Sequence, residues 1–88
     1  MLRKYQNGCV MIAIRNINNL ECEFKLFSSF NQAAKYLGIS YQTLIKDVEN
    51  DKPRIWNNTY IKVDFIEYDK IDDCQKSALI ELIKINKN

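Results

Sequence analysis

The chain has 88 residues, which predicts one small domain with a single modest core. Apolar residues make up 47% and aromatic residues 11% of it, so the composition excludes a disordered chain. The net charge of +2 does not mark a nucleic-acid binder, but residues 1–46 carry six basic and two acidic groups, whereas residues 47–88 carry seven basic and nine acidic ones.

The presence of three cysteines and the absence of histidine limit the metal and disulfide chemistry expected of the chain. Cys9, Cys22 and Cys74 are odd in number and widely spaced. They assemble no metal site of ordinary ligand spacing, so we expect free thiols in a reducing compartment and no metal or other cofactor. No apolar run has the length of a signal-peptide core or a membrane span. We therefore expect a cytoplasmic protein, in the host cell if it is phage-encoded, with no membrane partner.

A β-hairpin is predicted over residues 9–27. The first arm is rich in β-forming residues, and the second alternates apolar with charged side chains. A three-residue loop of residues 17–19, with Asn19 in the left-handed conformation, would set the apolar residues of both arms on one face. The pairs expected from this register are Val10 with Leu26, Ile12 with Phe24, Ile14 with Cys22, Met11 with Lys25 and Arg15 with Glu21.

Residues 29–49 predict two short helices that cross at a steep angle. The first shows an apolar stripe at helical spacing, follows a serine that can cap it, and ends at Leu37 before Gly38. Ser40 then caps a second helix that runs to about Glu49 and turns Ile45 outward. The residues expected to be buried in this pair are Phe30, Ala33, Ala34 and Leu37 on the first helix and Leu44 and Val48 on the second.

A break at residues 50–54 contains the only proline and leads to a tight hairpin, or wing, over residues 55–60. Residues 59–67 alternate apolar with charged side chains and predict a strand that joins the N-terminal hairpin. The fold class expected is α+β, ordered β-β-α-α-β-α, with a small antiparallel sheet of about three strands in one domain over residues 1–88.

A C-terminal helix is predicted over residues 70–87, with acidic residues in its first turn and Lys84 and Lys87 in its last. Its apolar surface is wider than a sheet of three strands needs, so either the helix covers the monomer's own core or the excess forms a homodimer interface. The stripe expected to be buried is Ile71, Cys74, Ala78, Leu82 and Ile85. The residues assigned to the dimer interface are Leu79, Ile80 and Ile83.

The middle of the chain resembles the helix-turn-helix of phage repressors and, more closely, the nuclease-associated modular domain found beside nuclease domains of homing endonucleases. The likeness covers about half the chain and implies DNA binding. The matching segments are Phe27-Ser28-Ser29, Ala33-Ala34, Leu37-Gly38-Ile39-Ser40, Thr43-Leu44 and the stretch Trp56 to Lys62.

If the second helix enters a major groove, its first turns and its outward face contact the bases. Glutamine pairs with adenine, lysine with guanine or phosphate, and tyrosine or threonine with a thymine methyl or a phosphate. Basic residues that flank the helix pair would contact phosphates. The expected base contacts are Ser40, Tyr41, Gln42, Thr43 and Lys46, and the expected phosphate contacts are Lys35, Lys52, Arg54 and Lys62.

Other features favour a protein partner. Asp47, Glu49 and Asp51 set negative charge at the end of the second helix, where phosphate would be repelled. The alternative function is therefore a protein-interaction module, such as a small phage inhibitor of a host protein, that uses the helix corner or the C-terminal helix. No constellation for acid-base or nucleophilic chemistry is visible, so we expect no enzyme and no small-molecule substrate.

Overall fold

Four antiparallel strands and three α-helices form the fold, which a computed structural model describes for residues 7–19 and 21–85. None of the helices in these two ranges is both long enough and apolar enough to cross a membrane. The elements are β1 (Gly8–Asn16), β2 (Cys22–Phe27), α1 (Phe30–Leu37), α2 (Tyr41–Glu49), β3 (Arg54–Trp56), β4 (Thr59–Glu67), a 3₁₀ turn (Tyr68–Lys70) and α3 (Asp73–Ile85).

The sheet has the strand order β2-β1-β4-β3, and every neighbouring pair is antiparallel. The predicted α+β class and element order are confirmed, with four strands where about three were expected. The additional strand is β3, whose three residues are too few to show an alternating pattern. It is joined to β4 by Asn57 and Asn58, whose φ angles of 52° and 61° suit a tight type I′ turn, so the predicted hairpin at residues 55–60 is confirmed.

The main core lies between one face of the sheet and the α1–α2 pair. β1 and β4 supply the sheet side of this core, because alternate residues of a strand point to the same face. The opposite face, called the outer face below, carries Met11, Ala13, Lys62 and Asp64. The fully packed residues of the core are Val10, Ile12, Ile14, Phe30, Ala33, Ala34, Leu37, Leu44, Ile45, Ile61 and Val63.

The helix pair has the predicted bounds and caps. The Oγ atom of Ser29 accepts a hydrogen bond from the backbone N–H of Gln32 at 3.3 Å. Gly38 follows α1 with φ = 72°, a left-handed conformation that glycine adopts at little cost. Ser40 caps α2 by accepting from the N–H of Thr43 at 3.2 Å. These local hydrogen bonds fix both ends of the turn.

The predicted register of the first hairpin is wrong by one residue. The backbone N–H of Asn16 donates to the carbonyl of Glu21 at 2.9 Å, so the loop is longer than predicted, and the Asn16 side chain accepts from Asn18 and Asn19. Asn19 does not adopt a positive φ. The observed pairs are Val10 with Phe27, Met11 with Leu26, Ile12 with Lys25, Ala13 with Phe24, Ile14 with Glu23 and Arg15 with Cys22.

This register is tolerated because the outer face of the sheet is also covered, in part, by α3. The prediction assumed that the apolar side chains of β2 must face the helix pair. They point to the outer face instead, where α3 packs against β2 and Leu26 is buried. A slip of one residue therefore moves the apolar set of β2 from the face beneath the helix pair to a face that α3 covers in part.

The C-terminal helix begins later than predicted and presents a different side. A reciprocal pair of hydrogen bonds between Asp72 and Gln75 sets its start, and Lys87 lies outside the described residues. The stripe expected to be buried is wrong: Cys74, Ala78, Leu82 and Ile85 are exposed, and Ile71, which precedes the helix, is half-buried. The half-buried apolar residues of α3 are Leu79, Ile80 and Ile83, which were predicted to be the excess surface.

Candidate nucleic-acid interface

The solvent-facing edge of α2 carries Gln42 and Lys46. They are four residues apart, so they lie on one side of the helix, and both are exposed. Leu44 and Ile45 point the other way into the core, which corrects the prediction that Ile45 faces outward. The exposed edge of α2 is thus polar, as a helix in a DNA groove requires, although Glu49 is exposed near its end.

The first turn of α2 is held by its own hydroxyl groups. The Oγ atom of Ser40 lies 2.8 Å from the Oγ1 atom of Thr43, in addition to accepting the backbone N–H of that residue. Thr43 is half-buried. Both hydroxyl groups therefore fix the start of the helix, and they are less available to a ligand than the side chains of Tyr41 and Gln42.

The ring of Tyr41 is positioned by an aromatic contact. It meets Phe30 edge to face, with ring centroids 6.2 Å apart and planes at 86°, and Phe30 stacks on Phe65 at 5.6 Å. Edge-to-face and offset-stacked rings are the favoured aromatic geometries. Tyr41 nevertheless remains exposed, so its position is set by packing while its outer edge can meet a ligand.

An ion pair neutralises one of the acidic residues expected to repel phosphate. Arg54 donates to both carboxylate oxygens of Asp47, with Nε–Oδ2 and Nη2–Oδ1 distances of 2.6 and 3.2 Å. The hydrogen bond with Asp47 is the main cause that raises the pKa of Arg54. Arg54, predicted to contact phosphate, is thus engaged within the chain, and it links the end of α2 to the start of β3.

Lys62 is likewise engaged. Its Nζ atom lies 2.5 Å from a carboxylate oxygen of Asp51 and 2.9 Å from one of Asp64, and the bond with Asp51 is the first cause that raises the pKa of the lysine. Since Lys62 also belongs to the outer face of the sheet, it does not join the surface formed by α2.

Three of the predicted contacts are exposed lysines: Lys35 on α1, Lys46 on α2 and Lys52 in the loop that follows. Over residues 7–19 and 21–85, none of these three ammonium groups takes part in an ion pair. They are therefore the basic groups of the predicted set that an external phosphate can meet without breaking an internal contact.

The sequence did not indicate a further aromatic and basic group beside the helix pair. Tyr36 is exposed on α1, its ring lies between those of Phe27 and Trp56 at 5.3 and 5.6 Å, and the Nζ atom of Lys25 lies 5.8 Å from its centroid. The indole N–H of Trp56 donates to the carbonyl of Leu37 at 2.8 Å and ties β3 to the end of α1. The wrong register had set Lys25 on the outer face, so this group was missed.

The cysteines differ in their surroundings. Cys9 is buried, and burial raises the pKa of its thiol more than a hydrogen bond with Tyr68 lowers it. Cys22 and Cys74 are free and exposed. Within the part of the chain that the structure describes, no group of histidine, cysteine, aspartate and glutamate side chains is arranged to hold a metal ion.

Comparisons with known proteins add no relative. The chain matches no protein-family model, no curated protein and no solved structure.

Proposed function

We propose that the protein is a double-stranded DNA-binding module that reads the major groove with α2. The observation that supports this most directly is the exposed edge of Gln42 and Lys46 on a helix whose opposite side is locked into the core. A recognition helix needs this combination, because base contacts require side chains held in a fixed register against the groove. The resemblance of the helix corner to phage and mobile-element proteins suggests a regulator of that kind, without catalytic activity.

Three exposed residues of α2, Tyr41, Gln42 and Lys46, have a chemical role in this proposal. The amide of Gln42 can pair with the N6 and N7 atoms of adenine, and the ammonium of Lys46 can donate to guanine or to a phosphate. Tyr41 meets a thymine methyl or a phosphate. Ser40 and Thr43 act mainly by holding the start of α2, since their hydroxyl groups contact each other.

Phosphate contacts are assigned to Lys35 and Lys52, which flank the helix pair and are exposed. Arg54 and Lys62 are omitted from the direct contacts because carboxylates of the same chain already bind them. Arg54 instead supports the site, because its bond with Asp47 removes a negative charge from the end of α2.

A salt series of gel shifts tests the proposal, first with random duplex DNA and then with sequences selected from it. Gln42→Ala and Lys46→Ala should each weaken binding to a selected site by about 1–3 kcal/mol. Lys46→Ala should also lower the salt slope by about one if that lysine binds phosphate. Lys84→Ala is the matched control, because it removes an exposed lysine of α3, which is not part of the proposed interface. Equal affinities for all four proteins would refute the assignment to α2.

A second candidate is a protein-interaction module, favoured by the apolar side chains on the outer face. Phe24, Ile55 and Tyr60 are all exposed there, on the side of the sheet opposite α2. Exposed aromatic and aliphatic groups on one face are typical of protein contacts. The gel shift separates the candidates: if the protein binds no duplex DNA even at low salt, the protein-binding role is favoured.

A further inference from the structure

The two edges of the sheet differ in how they are protected. β3 has only three residues, follows Pro53 and is tied back to α2 through Arg54. These are devices that prevent an edge strand from pairing with another chain. β2 is six residues long and contains no proline, and its residues Cys22 to Phe24 are exposed. Within the described part of the chain, the β2 edge is therefore the one open to a further strand.

Successive residues of β2 direct their backbone N–H and C=O groups alternately toward β1 and away from it. Asn16 donates to the carbonyl of Glu21, which makes these two residues a hydrogen-bonded pair of the hairpin. Hydrogen-bonded and non-hydrogen-bonded pairs alternate along an antiparallel ladder, so Glu23 and Lys25 bond to β1. Phe24, between them, directs its N–H and C=O away from β1. Cys22 and Leu26 do the same.

We propose that β2 pairs with the β2 strand of a second copy of this chain, antiparallel, about a two-fold axis at Phe24. The two Phe24 residues then exchange backbone hydrogen bonds, and the two four-stranded sheets become one of eight strands. The inference does not depend on DNA binding. Across the junction, Glu23 faces the partner's Lys25, Lys25 faces the partner's Glu23, and Cys22 and Leu26 face the partner's Leu26 and Cys22.

Charge complementarity selects this register. With the axis at Phe24, both junction pairs that carry charge join a carboxylate to an ammonium, and opposite charges directly across strands are stabilising. With the axis at Cys22, Glu23 would face the partner's Glu21. With the axis at Leu26, Lys25 would face the partner's Phe27. Strand β2 is thus self-complementary in one arrangement that also uses its free backbone groups.

The apolar exposure on the outer face agrees with the same pairing. Phe24 is 59% exposed although it lies in a strand, and α3, which packs against β2, leaves Leu82 and Ile85 exposed, the latter at 67%. A two-fold axis perpendicular to the sheet keeps the outer faces of both copies on one side. The two Phe24 rings would then meet on that side.

Charge-reversal variants test the proposal. Their association is measured by sedimentation of the whole protein at concentrations from micromolar to hundreds of micromolar. Glu23→Lys turns both junction pairs into lysine pairs, and Lys25→Glu turns both into glutamate pairs. Each should raise the dimer dissociation constant on the order of tenfold to a hundredfold. The double variant E23K/K25E restores opposite charges at both positions and should recover the parental constant.

A second pair of variants tests the aromatic contact. Phe24→Glu should abolish association, and because Phe24 is largely exposed the monomer should still fold, which circular dichroism checks. Ile55→Glu is the control, since Ile55 is an exposed residue of the same outer face on the opposite edge, and it should leave association unchanged. A parent protein that stays monomeric throughout, charge reversals without effect, or a double variant as weak as the single ones would each overturn the β2 pairing.

Discussion

The two faces of the sheet are built by different means. The face beneath α1 and α2 is closed by residues that are almost completely buried, and the helices above it are capped by Ser29 and Ser40. The outer face is covered only in part: no residue of α3 is fully buried, and Phe24 remains largely exposed.

The difference separates the face that supplies most of the stability from the face that has surface to offer to a partner. A closely packed face resists changes in volume, and its helix geometry is held by short-range hydrogen bonds. A half-covered face has apolar surface to offer to a partner. The helix-pair face therefore fixes the position of α2, whereas the outer face and its open edge are suited to association.

The largest expected effect comes from the helix-pair face. Leu44 has 0% exposure, so Leu44→Ala leaves a cavity in the core and should lower the free energy of unfolding by about 2–5 kcal/mol. Leu82→Ala, on the exposed side of α3, should change it by less than about 0.5 kcal/mol in dilute protein. Urea denaturation of both variants makes the comparison, and similar losses would mean that the two faces are equally packed.

The next effect concerns the ion pair that joins α2 to β3. The Asp47 side chain is only 13% exposed, so Arg54→Ala leaves a carboxylate with poor access to water. We expect a loss of about 1–3 kcal/mol in the free energy of unfolding. The control is Lys70→Ala, which breaks the exposed pair with Glu67 and should cost less than about 0.5 kcal/mol. A loss from Arg54→Ala no greater than the control would show that the bond to Asp47 is only a surface contact.

A smaller effect is expected at the turn between α1 and α2. A Cβ atom on Gly38 would meet no atom within 4 Å, so any cost of substitution comes from its φ of 72° alone. Gly38→Val should destabilise the protein by roughly 1 kcal/mol or more, and Gly38→Asn by less, because asparagine tolerates the left-handed region. Thermal melts of the two variants test the order, and a valine variant that melts like the parent would contradict it.

The last prediction involves no change in stability. It concerns how completely the outer face is covered. Cys9 belongs to this face but is buried, and this burial raises the pKa of its thiol. Iodoacetamide must reach the sulfur, so it should modify the exposed Cys22 and Cys74 first and Cys9 only after unfolding. Mass spectrometry of a time course identifies the sites. Early modification of Cys9 would mean that this end of the face is open.

Short-range signals made the helix pair predictable from the sequence. Ser29, Gly38 and Ser40 act on backbone groups within four residues, so their pattern determines the bounds of α1 and α2 directly. The hairpin register and the buried side of α3 depend on which faces of the sheet are covered, which no local window contains. That is why Phe24 and Leu82 were both predicted to be buried and are exposed.

The features of the candidate site likewise fall into those that a local sequence pattern predicts and those that depend on contacts between separate elements. The exposure of Gln42 and Lys46 follows from the helical period once Leu44 is placed in the core. The ion pair of Asp47 with Arg54 and the bonds of Lys62 join separate elements, so the sequence indicated the charges without their partners. The position of Ile45 was wrong because the buried side of α2 is wider than the pair Leu44 and Val48 suggested.

The partial burial of α3 has a consequence for the dynamics of the chain. Its start is fixed by the reciprocal bonds of Asp72 and Gln75, but its contacts with the sheet are made by half-buried residues only. A segment with so little buried surface opens at a lower free energy than the whole domain. The amide hydrogens of α3 should therefore exchange with deuterium through local opening, while those of β1 and β4 exchange only when the entire domain unfolds.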